Sequence, residues 1–179
     1  MNPTARPSPA DLAAAAAHLR AAYQLLGLGD DPELAQSPER VAELLSTYAP
    51  QPIPPADPLP TTSDCGLITL RDLPFHSLCA HHLLPFFGSV HLAFRPMGRL
   101  VGLGWLSRAV AACAQRPQLQ ERLADDIFEA IKQVGAVEIG VRIVARQLCV
   151  EMRGPRTTGN FEVLRLSQGA SADLRAALR

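Results

Sequence analysis

The chain has 179 residues, enough for one domain with a substantial core, and its 17 basic residues balance its 17 acidic ones. Since the positive charge forms no stripe, the composition disfavours nucleic acid and anionic membranes as partners. No apolar run reaches the about 18–20 residues that span a bilayer, and residues 1–9 lack a secretory pattern. Four unevenly spaced cysteines do not indicate a disulfide framework, so we expect a cytoplasmic protein with reduced thiols.

Two helices are predicted near the N-terminus. Ser8-Pro9 is typical of an N-cap followed by proline, and apolar residues recur after it at helical spacing. Ser37-Pro38 repeats the same signal before a second apolar stripe. The prolines between residues 50 and 60 exclude regular structure there, because proline lacks a backbone N–H. We therefore expect a helical arm and a proline-rich connector in residues 1–60, followed by a single structural unit in residues 61–179.

From Gly66 onward the pattern predicts the order strand, strand, helix, helix, strand, with a last strand near the C-terminus. The strands are expected at Leu67–Leu73, Val90–Arg95, 137–152 and Phe161–Leu166. In the third of these the apolar residues change phase after Ile143, which a bulge or burial of both faces would explain. Two consecutive helices packed on an antiparallel sheet predict an α+β fold.

Candidate zinc ligands cluster in the segment Cys79-Ala80-His81-His82. Zinc favours thiolate and imidazole, and a catalytic site combines three protein ligands with a water molecule. Cys79 and His82 can bind one ion from a turn, and our hypothesis is that Cys149 supplies the third ligand. Spacing alone does not bring Cys149 close, and a buried cysteine is more often a small hydrophobic residue, as we expect of Cys113. His81, free of the metal, has a side chain suited to proton transfer near neutral pH.

Several motifs resemble the GTP cyclohydrolase I family in both order and spacing. The matching segments are Ser37-Pro38-Glu39-Arg40-Val41-Ala42, Ser77-Leu78-Cys79-Ala80-His81-His82, the runs from Gly102 to Arg108 and from Ala114 to Leu123, and Cys149 through Gly154. The match extends from about residue 20 to residue 156. The resemblance implies the tunnelling fold, in which an antiparallel sheet is backed by two helices. It also implies a homo-oligomer, a decamer of two pentamers, with active sites at subunit interfaces.

The resemblance further implies the roles of individual residues. Cys79, His82 and Cys149 match the zinc ligands of the family, and His81 matches its catalytic histidine. The implied cofactor is therefore Zn²⁺, whose bound water loses its proton near neutral pH. Hydrolytic opening of a guanine ring is the chemistry that such a site serves in the family.

Four further residues match positions that bind the substrate GTP. Glu121, with the backbone near Gln120, matches the carboxylate that holds the guanine edge, and a carboxylate can accept two N–H bonds from a planar base. Arg108 and Arg153 match triphosphate-binding positions, where guanidinium groups pair with phosphate oxygens.

Gln147 departs from the family pattern, which has histidine two residues before the third zinc ligand. Residues two apart on a strand share a face, so we expect Gln147 to lie beside Cys149 in the metal pocket. Glutamine forms hydrogen bonds but does not deliver a proton at neutral pH. In the family that histidine helps to protonate the purine imidazole ring and supports loss of C8 as formate.

Other departures lie at substrate-binding and proton-transfer positions. Ala80 replaces a glutamate, and Gly104-Trp105 replaces a serine-lysine pair whose lysine assists in binding the triphosphate. Trp105 offers a flat apolar surface suited to stacking or to subunit packing. The segment 157–160 is shortened. His76 is either a substitute for the missing acid or an ordinary loop histidine.

Three functions are compatible with these observations. The first is zinc-dependent opening of GTP at C8, with release of formate and formation of dihydroneopterin triphosphate. The second is a divergent enzyme that stops at the ring-opened formamide or acts on another guanine-like or pterin-like substrate. The third is a non-catalytic protein that binds a purine or a pterin and acts by co-assembly.

Overall fold

The computed structural model describes residues 6–61 and 65–179. The helices are α1 (Pro9–Leu25), α2 (Ser37–Thr47), α3 (Leu103–Ala114), α4 (Gln120–Gln133), α5 (Leu148–Glu151) and α6 (Ala172–Ala177). The strands are β1 (Leu59–Pro60), β2 (Ile68–Cys79), β3 (Pro85–Pro96), β4 (Arg99–Leu100), β5 (Pro117–Gln118), β6 (Ala136–Gln147) and β7 (Phe161–Leu166). The chain forms two compact units, Met1–Pro50 and Gln51–Arg179. The predicted division between residues 1–60 and 61–179 remains a prediction.

The first unit contains helices α1 and α2, as the sequence predicts. Ser8 caps α1 in a capping box: its hydroxyl accepts a hydrogen bond from the Asp11 N–H, and the Asp11 carboxylate accepts one from the Ser8 N–H. The prediction that Ser37 caps α2 is wrong, because Ser37 is the first helical residue and Gln36 is the N-cap, without a side-chain hydrogen bond. A short 3₁₀ turn at Pro32–Leu34, which the sequence pattern did not indicate, precedes α2.

The second unit is built on a five-stranded sheet in the order β5-β2-β3-β6-β7. The three long strands β2, β3 and β6 and the edge strand β7 pair antiparallel, whereas the two-residue strand β5 pairs parallel to β2. Helices α3 and α4 cover one face, where Leu106, Leu123 and Ile127 pack with Val90 and Ile143 in the main core. These observations confirm the predicted order of strands and helices and the α+β class.

Helix α6, which was not predicted, packs on the opposite face of the sheet. Leu174 and Leu178 form a second small core there with Ala93. A Cβ added to Gly140 would lie 2.4 Å from Leu178 Cδ1 and 2.8 Å from Leu174 Cδ2, so glycine is what allows the helix to approach strand β6. The end of the sheet far from Cys79 is therefore covered on both faces. No helix in the described part of the chain is long and apolar enough to cross a membrane.

Several predicted boundaries are wrong. Strand β2 does not stop at Leu73 but continues to Cys79, so His76 lies on a strand and not in a loop. Strand β6 ends at Gln147, and the residues predicted to continue it to Met152 form the helical turn α5 and its C-cap. The prediction that residues 50–60 contain no regular structure is wrong for Leu59 and Pro60, which form β1 and pair with β4.

The predicted change of phase after Ile143 is also absent. Ile139, Val141, Ile143 and Ala145 are all buried on one face, so the alternation of β6 continues through Ala145. The pairing of β6 with β3 shows no bulge between Glu138 and Gln147. The apparent shift came from Val144, an apolar residue that is only partly buried on the other face.

Candidate metal centre and adjoining cleft

The turn between β2 and β3 places Cys79 and His82 side by side. The Cys79 carbonyl accepts hydrogen bonds from the N–H groups of His82, at 3.3 Å, and Leu83, at 2.8 Å. Leu83 has a φ of 53°, a left-handed conformation that lets the chain reverse within a short turn. The turn is tied at its base, where the Cys79 N–H donates to the Leu84 carbonyl at 2.8 Å. Cys79 is buried, whereas His82 faces solvent.

Cys149 completes a group of three ligand atoms. It lies in the α5 turn, directly beyond the end of β6, and its sulfur, the Cys79 sulfur and a ring nitrogen of His82 are all within 4.8 Å of one another. The Cys79 sulfur is 3.7 Å from His82 Nδ1. Tetrahedral zinc, with bonds of about 2.3 Å to sulfur and about 2.0 Å to nitrogen, separates its ligand atoms by about 3.5 to 3.8 Å. The donor set and its spacing therefore fit zinc after a small closure of the group.

The electrostatics of the group reflect two close thiols. Burial, followed by a hydrogen bond and charge repulsion from Cys79, raises the pKa of the Cys149 thiol above its ordinary value. Partial desolvation, followed by the charges of Arg153 and His81, lowers the pKa of His82. A neutral imidazole is the form that binds a metal, and a bound cation would favour the Cys149 thiolate, which the neighbouring thiol disfavours. The group is thus better suited to holding a divalent cation than to staying empty.

A pair of glutamine amides forms the floor beside this group. Gln120, the first residue of α4, is buried, and its Nε2 donates to the Ile143 carbonyl at 3.1 Å and to the Phe161 carbonyl at 2.9 Å. Its Oε1 accepts a hydrogen bond from Gln147 Nε2 at 2.8 Å. Gln147 Oε1 in turn lies 3.8 Å from the Cys149 sulfur, which donates to it.

A cleft of about 260 Å³ opens over the metal group and the amide floor. Its lining comes from the β2 turn, the start of α4, the α5 turn and the edge strand β7. The residues that line it are Cys79, His81, Gln118, Leu119, Gln120, Glu121, Gln147, Cys149, Val150, Phe161, Glu162 and Val163. The exposed side chains of His81 and Glu121 are therefore both available to a molecule in the cleft.

The structure brings some of the predicted site residues together and leaves others outside the cleft. Cys79, His82 and Cys149 converge, and Gln147 lies beside them, although Cys149 is on a helical turn and not on the predicted strand. Arg153 contacts His82 Nε2 through its guanidinium group. Arg108 is exposed on α3 and is not among the described residues that line the cleft.

Comparisons with known proteins identify the family of the chain. A family model described as GTP cyclohydrolase I matches residues 17–177. GTP cyclohydrolase 1 of a Hydrogenobaculum species is 38% identical over 144 residues, covering 78% of this chain and 79% of the relative. GTP cyclohydrolase 1 of Streptococcus suis is 38% identical over 157 residues, which cover 82% of this chain and 84% of the relative. The chain belongs to the GTP cyclohydrolase I family.

Membership of the GTP cyclohydrolase I family makes the chain an enzyme with the tunnelling fold, as predicted. A third relative, GTP cyclohydrolase 1 of Campylobacter lari, is 50% identical over 99 residues, which cover 55% of this chain and 52% of the relative. Among solved structures, the archaeosine synthase QueF-Like in the apo form has 20% identity and a TM-score of 0.48. The match covers 62% of this chain and 100% of the chain of that structure.

Two expectations about residues that depart from the GTP cyclohydrolase I pattern are corrected by the structure. Trp105 does not present a free surface, because it is buried and its indole N–H donates to the Pro54 carbonyl at 2.9 Å. His76 does not face the metal group. It shares a cross-strand row with Phe87 and Arg146, whereas Gln147 belongs to the neighbouring row, whose side chains point to the other face of the sheet.

The sequence did not predict an ion pair that restrains the third ligand. Arg146 donates two hydrogen bonds to the Glu151 carboxylate, and this pair joins the last residues of β6 to the last residue of α5. Cys149 lies between the two partners in sequence, so the pair restrains the turn that carries its thiol. A separation of five residues fits neither strand nor helix periodicity, and only a strand that gives way to a helical turn brings the two side chains together.

Proposed function

We propose that this protein is a zinc-dependent hydrolase that opens the imidazole ring of GTP at C8. The observation that carries the proposal is the convergence of two cysteines and one histidine at the edge of a cleft that also contains the Glu121 carboxylate. Zinc bound by Cys79, His82 and Cys149 would supply a water-derived nucleophile and polarise the reacting centre. The comparisons support this activity because the relatives carry the name GTP cyclohydrolase 1.

Glu121 is proposed to hold the guanine ring. It lies in the first turn of α4, exposed and at the border of the cleft. Its two oxygens can accept hydrogen bonds from the ring N–H and the exocyclic amino group of guanine, a pairing that orients a planar base. The Gln120 side chain is fully engaged with the Ile143 and Phe161 carbonyls and with Gln147, so only its backbone remains for the base.

His81 is proposed to move protons. Its ring lies in the cleft lining, 6.1 Å from the His82 ring between centroids and nearly perpendicular to it, at 77°. Ring opening consumes one water molecule: its oxygen bonds to C8, the C8=N7 double bond gives way to the formyl C8=O while N7 gains one hydrogen, and the C8–N9 bond breaks while N9 gains the other. Imidazole donates and accepts protons near neutral pH, which suits this transfer.

Arg153 is proposed to bind the triphosphate, and Arg108 to do so from a neighbouring subunit. The exposed position of Arg108 outside the cleft supports a role in a homo-oligomer, for which we propose two stacked pentamers in the cytoplasm. Light scattering with size-exclusion chromatography tests the decamer. A stable monomer with full activity would contradict it.

Incubation of the zinc-loaded protein with GTP tests the proposed reaction. Pterin fluorescence, released formate and the ring-opened formamide, detected by mass, should be followed together. Fluorescent pterin and formate in equal amounts are the expected result, and a His81→Ala variant should abolish both. If GTP is recovered unchanged with one zinc per chain bound, the proposed activity is wrong.

A second candidate is an enzyme that stops at the ring-opened formamide. The observation that favours it is Gln147, an amide at the place where the family has a histidine, with its oxygen directed at the metal group. An amide cannot deliver a proton to help expel C8 as formate. Formamide that accumulates without formate supports this candidate over the complete reaction. A Gln147→His variant that then releases formate would identify the residue responsible.

A further inference from the structure

We propose that Gln147 is a specificity-determining residue that favours guanine-type rings with an N–H donor at position 7 over rings with no donor at that position. This proposal rests on the proposed function, because it assumes that a guanine-type ring occupies the cleft. It goes beyond that function by stating which chemical form of the ring the cleft prefers.

The first step is that Gln120 has one possible amide orientation. Its side chain reaches two backbone carbonyls, of Ile143 and Phe161, which accept hydrogen bonds and cannot donate them. Both N–H groups of Gln120 must therefore point at these carbonyls. Its Oε1 is left facing Gln147, and the buried position of Gln120 excludes solvent as an alternative partner.

The second step carries this orientation to Gln147. Because Gln120 presents only an acceptor, Gln147 must present its NH₂ group to it, as the 2.8 Å contact shows. The Gln147 carbonyl oxygen is thereby directed to the other side, where it lies 3.8 Å from the Cys149 sulfur. Gln120 is thus a positioning residue, and it makes Gln147 an obligate acceptor beside the metal group.

The third step concerns the ring. If Glu121 holds the N1–H and 2-amino edge, as proposed above, the opposite imidazole edge faces the metal group and Gln147 across the cleft. N7 of intact guanine is an acceptor, so it forms no hydrogen bond with the Gln147 oxygen. In the ring-opened formamide, the same nitrogen carries hydrogen and can donate to that oxygen. The cleft therefore gains one hydrogen bond once water has added to C8 and N7 carries hydrogen. An acceptor at this position favours retention of the opened ring over binding of the closed one.

Two GTP analogues separate these cases without ring opening. In 8-oxo-GTP position 7 is an N–H donor, whereas in 7-deaza-GTP it is a carbon. Isothermal titration of the zinc-loaded protein should give a dissociation constant about tenfold lower for 8-oxo-GTP, the value of one well-placed hydrogen bond. The ratio of the two constants is the measured quantity, because it cancels the shared contributions of the base edge and the phosphates.

Variants assign the preference to Gln147. Gln147→Met removes the acceptor at nearly constant volume and should reduce the ratio to within about twofold of one. Any preference that remains belongs to the 8-oxo group itself. Gln133→Met, the same change on an exposed residue at the end of α4, should keep the wild-type ratio. Gln147→His, which supplies a donor, should lower the ratio and gives a second route should the methionine variant fold poorly.

The outcomes separate this proposal from the proposed function. Equal affinity of the wild type for both analogues, or an unchanged ratio in Gln147→Met, overturns the selectivity while leaving guanine binding intact. Failure of both analogues and of GTP to bind at millimolar concentration contradicts the proposed function instead. A tenfold preference that disappears only in the Gln147 variants supports the proposal.

Discussion

The metal end and the amide end of the cleft are held in place by different means. At the metal end, the three ligand atoms come from a tight turn and a four-residue helical turn, and they lie within 4.8 Å of one another. Their other contacts are with side chains: His82 with Arg153, and Cys149 with Gln147. At the amide end, Gln118 and Gln120 donate to backbone carbonyls of the surrounding elements, and Gln147 is held by Gln120. Thiols packed together gain their order from a cation, whereas anchored amides are ordered by the fold.

The amide end is therefore ordered in the folded protein before a ligand binds, whereas the order of the metal end depends on a bound cation. The amide end contributes to the stability of the second unit, because Gln120 joins the start of α4 to strands β6 and β7. The metal end contributes mainly when a cation is bound, since binding to the folded state stabilises it by mass action. Changes at the two ends should therefore separate metal content from stability.

The largest expected effect is the loss of zinc on Cys149→Ala. Two remaining ligands on one turn hold zinc far more weakly than three, so we expect the zinc content to fall from about one per chain to near zero after dialysis. Cys113→Ala is the matched control, because Cys113 is a buried cysteine of the core away from the ligand group. Metal analysis by mass spectrometry measures both variants.

The stability of Cys149→Ala shows whether the metal end contributes to folding without a cation. In the presence of a chelator, Cys149→Ala should unfold at nearly the same urea concentration as the wild type, because Cys149 is only half-buried. Tight zinc binding retained at one per chain in Cys149→Ala would show that the ligand assignment is wrong.

The next effect in size is at the amide end, on Gln120→Met. The change leaves the Ile143 and Phe161 carbonyls and the Gln147 amide with fewer partners at a buried position. We expect the free energy of unfolding in urea to fall by about 2 kcal/mol, while zinc remains at about one per chain. A variant that is as stable as the wild type but loses zinc would reverse the roles of the two ends.

The metal end was the more predictable from sequence, because a Cys-x-x-His spacing within a turn is local. Cys79 and His82 follow from that spacing, and alternation predicted half of β3 and most of β6. Cys149 came from the family resemblance, and its helical turn was misassigned because Val150 and Met152 continue an apparent strand pattern. Local periodicity does not show at which residue a strand stops pairing with its neighbours and another structure begins.

The amide end was not predictable in the same way. Nothing in the residue types of Gln120 and Gln147 indicates that they bond each other across 27 positions, since glutamine suits exposed helix positions equally well. The burial of Gln118 likewise depends on its contacts with the Cys113 carbonyl and with Asp126. Long-range hydrogen bonds of this kind appear only when the fold is known.

The buried thiol of Cys113, whose backbone carbonyl accepts a hydrogen bond from Gln118 at the amide end, allows a test by pH. Burial, followed by the charge of Asp126, raises the pKa of the Cys113 thiol to about 12 from its ordinary value of 9.0. The unfolded chain therefore loses this proton first, so the stabilisation is complete below about pH 9 and is lost as the pH rises towards 12. Between pH 8 and pH 10 the free energy of unfolding should fall by about 1 kcal/mol more in the wild type than in Cys113→Ala. Equal slopes would show that the Cys113 thiol is not desolvated.

The smallest expected effect concerns the clamp that carries the third ligand. Glu151→Gln weakens the pair with Arg146 that holds the α5 turn against the end of β6. The turn would then sample more positions of the Cys149 sulfur. We expect zinc to bind about threefold more weakly, because the arginine of the pair is half-exposed even though the Glu151 side chain is buried. Competition with a chromogenic chelator measures the affinity. Asp125→Asn, which breaks an exposed pair with Arg165 between α4 and β7, is the control that should not change it. Equal zinc affinity in Glu151→Gln and the wild type would mean that the helical turn, once formed, holds Cys149 without the clamp.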